Sequence, residues 1–210
     1  KSVFNKGTIS QHIFNDYREE FLPSTQFINL NFEKIDLNFL KLNSCYFGEC
    51  YTFYLEQYKD NLIITDRYGV FRYAKFEEIK ESIKNLNIIK TNLNFDTILD
   101  TFIDDDIIYV SGKKIVNETD TELHVAKATL DYSELNFQNI VELKSKQCFF
   151  RHAVHSGKIQ SNKGNKNQII LSVNSSADNE GLENLNSDSV CGKTLLIDVE
   201  SGEYEIFTSG

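Results

Sequence analysis

The sequence predicts an all-β protein built as a partial β-propeller: about three four-stranded antiparallel blades with one short amphipathic helix. Two observations carry this. Short β-branched runs recur along the chain, each with a polar cap, a turn and an amphipathic return. The first two of these units start about one blade length apart, roughly 40–50 residues.

Taken in order, residues 1–22 are polar and weakly periodic and read as an N-terminal arm, leaving 23–210 as the propeller-like domain. From Phe27 to Leu37 the residues alternate, with Ile28, Leu30 and Phe32 against Asn29, Asn31 and Glu33, as in a half-buried strand. Thr52–Leu55 is followed by Asp60–Tyr73, which reads as strand, turn and strand: Leu62–Ile64 inside, Asp66–Gly69 as the turn, Val70–Tyr73 as the return. Phe76, Ile79, Ile83 and Leu86 fall at helical spacing opposite Glu77, Glu78, Lys80, Glu81 and Lys84, which predicts the one helix. A second unit runs from Asp104 to Gly112 and returns over Leu123–Ala128. The third has Ile169–Val173 as its central strand, with Lys193–Val199 and Tyr204–Phe207 joined by the turn Glu200–Glu203.

Hydrophobic residues make up 40% and charged residues 25% of the 210, an ordinary globular composition. The net charge of −9, with no Lys/Arg cluster, argues against a nucleic-acid partner. No apolar run approaches the roughly 18 residues of a membrane span. The chain begins Lys1-Ser2-Val3-Phe4 and contains no Met, which reads as a mature or trimmed chain without its targeting segment. Four cysteines, Cys45, Cys50, Cys148 and Cys191, allow two disulfides in three connectivities. Gly48 permits a tight loop between Cys45 and Cys50, so the expected pairing is Cys45–Cys50 and Cys148–Cys191. Four reduced, buried thiols in a reducing compartment are the alternative. No C-x-x-C pair suggests a metal site.

From Ile98 onward the sequence carries more. Ile107–Ser111, Ala126–Asp131, Leu135–Phe137, His155–Ile159, Ile169–Val173, Gly192–Asp198 and Phe207–Gly210 follow one another in the order and spacing of a known family. They resemble the glucose/sorbosone dehydrogenases, six-bladed propellers that hold pyrroloquinoline quinone (PQQ) beside calcium. The resemblance covers the C-terminal half well and the first half in outline. It implies that His155 is the general base that takes the proton of the sugar's anomeric hydroxyl, a role suited to a neutral imidazole. Arg151, His152 and Asp178 are weaker candidates for lining the cofactor pocket. The chain departs from the family where Asn174-Ser175 stands in place of Gly-Asp. It also ends at Gly210, where the family runs on into a His-Arg-Asn-Pro-Gln-Gly motif that grips the quinone. The resemblance therefore implies the N-terminal half of a ring, with quinone and calcium belonging to the parent and neither binding tightly to this chain alone.

Two function classes follow. One is part of a quinone-dependent aldose dehydrogenase, periplasmic or extracellular, with a sugar substrate. The other is a non-catalytic propeller-derived module that binds carbohydrate or protein through its loops. No G-x-S-x-G supports a hydrolase, and Asp104-Asp105-Asp106 reads as a solvated strand cap. A three-blade section leaves apolar sheet faces open, which predicts a homodimer.

Overall fold

The architecture follows from one chemical pattern used three times. The computed structural model describes residues 53–80, 86–117, 121–144, 157–173 and 189–209. The expected arm at 1–22 and the alternating strand at 27–37 lie outside them.

The first sheet holds β1 (Phe53–Tyr58), β2 (Asn61–Asp66), β3 (Phe71–Lys75) and β4 (Asn87–Thr91), antiparallel in chain order. The second holds β5 (Thr97–Asp104), β6 (Ile107–Ile115), β7 (Thr121–Thr129) and β9 (Gln138–Lys144). The third holds β10 (Lys158–Ser161), β11 (Gln168–Ser172), β12 (Lys193–Asp198) and β13 (Tyr204–Ser209). The three runs expected at the centres of blades fall in β2, β6 and β11, each the second strand of its own sheet. These are three blades of a partial propeller. One correction concerns the first. It has five strands rather than four, because β8 (Glu134–Leu135), from the β7–β9 connection, pairs in parallel with β4 through Lys90↔Glu134 and Thr91↔Leu135. A two-residue strand has too few residues to show period-two alternation.

Turn chemistry places the strand ends. Asp66 accepts from the backbone N–H of Tyr68 (3.0 Å) and Val70 (3.1 Å), while Gly69 takes the left-handed φ of 79° that closes the turn. Asp198 does the same work before β13, accepting from Glu200 and Ser201. The predicted helix is α1 (Phe76–Lys80), and residues 81–85 of its expected span lie outside the described set.

Burial explains why the first half of β6, Ile107–Val110, reads as an unbroken apolar run. The middle blade is covered on both faces. Ile98, Ile108, Val110, Ala126 and Ala128 pack toward the first blade with Ile63, Phe71, Ile89, Leu135 and Phe137. Leu99, Tyr109, Leu123, Val125 and Val141 pack toward the third with Ile159, Ile169, Leu171, Leu195 and Ile197. A strand buried on both faces has no polar alternation to show. Cys191 belongs to the second cluster, fully buried, and is disulfide-bonded. Cys45, Cys50 and Cys148 lie outside the described residues.

Candidate functional site

Each blade's first strand faces the others. β5 lies against both β1 and β10, so the leading strands of three sheets come together on one side of the stack. The polar residues near the starts of these strands gather there.

Asp100 is the centre of the group. A bulge between Ile98 and Asp100 shifts the β5 register, so that Asp100 pairs with Ser111 and points at the third blade. Its Oδ1 lies 3.1 Å from Lys158 Nζ, and its Oδ2 accepts from the backbone N–H of Ile159 at 3.0 Å. The Ser111 hydroxyl donates to the carbonyl of Gly157 at the same seam. Lys158 also stands 5.4 Å from the ring centre of Tyr54, close enough for a cation–π attraction. Tyr54 in turn donates its hydroxyl to the carbonyl of Ile98 at 2.9 Å. Burial, with the negative charge of Asp100 second, pushes the Tyr54 phenol well above its ordinary range. The same two causes raise Glu56 from 4.5 to about 7. Asp100, Lys158, Ile159, Gln160 and Ser172 line a cavity of about 290 Å³.

The chemistry available follows directly. Glu56 exchanges its proton near neutrality, where a general base or acid is most effective. Gln160, Ser172, Lys158 and Asp100 offer donors and acceptors in a concave setting suited to a polyhydroxylated ligand. Glu56, Asp100 and Lys158 were missed by motif reading. Their signal, a charged residue in each blade's leading strand, means little until the sheets are stacked.

His155, the expected base, lies outside the described residues, as do Arg151, His152 and Asp178. The sequence places His155 three residues before Lys158. PQQ is a tricarboxylate and needs cations around it. The cavity's cation, Lys158, is already engaged by Asp100, and Glu56 and Asp100 add negative charge. Calcium needs six to eight oxygen ligands, yet both oxygens of Asp100 already accept from nitrogen. The described residues fit neither group.

No protein-family model matches the sequence, and no curated protein matches it. Solved structures do match. A glucose dehydrogenase aligns with a TM-score of 0.51 at 13% identity, over 71% of this chain and 48% of its own length. The soluble aldose sugar dehydrogenase of Escherichia coli, in its apo-form, gives 0.51 at 14%, over 73% and 45%. An oxidoreductase of Thermus thermophilus described as a glucose dehydrogenase gives 0.51 at 16%, over the same shares. The chain has the fold of these sugar dehydrogenases. It spans less than half the length of each. Among the described residues no helix is long and apolar enough to cross a membrane.

Proposed function

We propose that the chain binds a neutral sugar where its leading strands meet, as part of an aldose dehydrogenase of the glucose/sorbosone type. The observation that carries this reading is the cluster of Tyr54, Glu56, Asp100 and Lys158, drawn from three blades of a fold shared with sugar dehydrogenases. In the cavity, Asp100 accepts from a sugar hydroxyl through a remaining lone pair, Lys158 and the Gln160 amide donate, and Ser172 donates or accepts. In this reading His155 is the base that removes the anomeric proton, Arg151, His152 and Asp178 remain candidate pocket residues, and Glu56 is a second group that titrates near neutrality. PQQ and calcium are expected of the parent protein. A periplasmic or extracellular setting, the pairings Cys45–Cys50 and Cys148–Cys191, and a homodimer belong to the same proposal.

The test has two arms. Titration calorimetry with aldoses should find saturable binding that Asp100→Asn and Gln160→Ala weaken about tenfold. In the parent protein, His155→Ala should lower turnover by on the order of 10²-fold or more, the usual worth of a positioned base. Binding without turnover would favour the non-catalytic carbohydrate module, for which the poor fit to the quinone speaks. No sugar binding at millimolar concentration would end the sugar reading.

A further inference from the structure

We propose that Glu122, His124 and Glu142 form a binding site for a divalent transition-metal ion of the zinc class. The site lies on β7 and β9 and shares no residue with the sugar cavity.

Register builds it. His124 and Glu142 are directly opposed across the two strands, as are Glu122 and Lys144. Glu122 and His124 are two residues apart and share a face. One ligand atom from each of Glu122, His124 and Glu142 comes within 4.8 Å of the others. Imidazole nitrogen with two carboxylate oxygens is a donor set that zinc accepts, at bonds of about 2.0–2.2 Å, with water completing the shell. A small rotation of the exposed Glu142 closes the set around one ion.

The histidine is held for the task. It is 5% exposed, and its Nε2 lies 3.0 Å from Glu122 Oε2 rather than facing the apolar core. Phe95 packs against its ring with centres 5.6 Å apart. Phe95 reaches that place only because residue 112 is glycine, where a Cβ would stand 2.3 Å from the phenyl ring. A cation already occupies the mouth of the site. Lys144 Nζ lies 2.7 Å from Glu142 and 3.4 Å from Glu122, on a side chain 70% exposed and free to swing away. A metal ion would take the place of that ammonium, so Lys144 acts as a built-in competitor.

The competition makes the site testable. Zinc chloride is titrated into the oxidised full chain by calorimetry, with circular dichroism on every variant. The expected result is one saturable equivalent, weakened at least tenfold by His124→Gln and by Glu142→Gln, and tightened several-fold by Lys144→Met. Glu142 is at the rim, so its variant reads the site even if the buried His124→Gln does not fold. Absence of saturable binding overturns the proposal. So does binding that neither Glu142→Gln nor Lys144→Met alters, since the zinc would then sit on other residues.

Discussion

The two junctions between blades are made differently. Between the first and second, backbone meets backbone: β8 pairs with β4, and the Ile98 N–H donates to the Arg67 carbonyl at 2.7 Å. Asn92 completes the seam by accepting from the Phe137 N–H at 2.7 Å and donating to its carbonyl at 3.2 Å. The core there is aromatic, with Phe71 and Phe137 at 5.5 Å and Tyr73 and Tyr132 at 4.6 Å. Between the second and third blades the core is mainly aliphatic, with the stacked Phe102–Tyr109 pair at its edge, and the polar links run through side chains: Asp100 to Lys158 and Ile159, Ser111 to Gly157, Lys127 to the Val199 carbonyl. Among the described residues, the junction whose polar links all involve a side chain is the one that lines the cavity. Side chains can change with function while the backbone ladder beside them stays fixed.

The largest test breaks the first junction. Phe71→Ala opens a cavity among fully buried neighbours and should cost about 3–5 kcal/mol in urea unfolding; a loss under about 1 kcal/mol would mean that the aromatic seam contributes little. At the second junction, Gly157 has a φ of 84°, and an added Cβ would stand 2.7 Å from Leu99 Cδ1 and 3.1 Å from Leu123 Cδ1. Gly157→Ala should therefore cost about 1–3 kcal/mol, from backbone strain and overpacking together. A smaller effect is expected from Asp100→Asn. Asparagine still accepts from Ile159 but loses the ion pair to a largely exposed lysine, a change of about 1 kcal/mol. The same variant removes the negative charge that helps raise Glu56, so the Glu56 carboxyl, followed by NMR, should titrate below pH 7. A further effect is on pH dependence. Because folding raises Glu56 from 4.5 to about 7, its contribution is fully present below pH 4.5 and is lost as pH rises from 4.5 through about 7. Thermal melts of Glu56→Gln should be flatter over that window than those of the wild type. Identical slopes would show that Glu56 is not displaced.

Much of this fold was legible in the chain. Leu62–Ile64, Ile107–Val110 and Ile169–Val173 announce blade centres as short apolar-rich runs, and Ile107–Val110 is apolar without interruption because the middle blade is covered on both faces. β5 was harder to see: Ile98 and Leu99 are buried against different blades, and the bulge beside them breaks the alternation of Thr97–Asp104. β8 was invisible for want of length. The site was mostly illegible, since Asp100 and Lys158 meet across 58 residues. Nothing in either segment alone marks them as partners. Glu122, His124 and Glu142 share the difficulty, because their meeting depends on the β7–β9 register and on a glycine at 112.

The two-residue strand β8 also bears on how the molecule comes apart. It ties the chain beyond β7 back onto the preceding sheet, so the first two blades cannot separate without breaking main-chain pairs on both sides of the seam. The third blade has no such ladder to its neighbour among the described residues. Amide hydrogen exchange should therefore divide the molecule unevenly. The amides of β2, β6 and β7 should exchange together at the slowest rate, as one cooperative unit, and those of β11 and β12 should open earlier in a separate step.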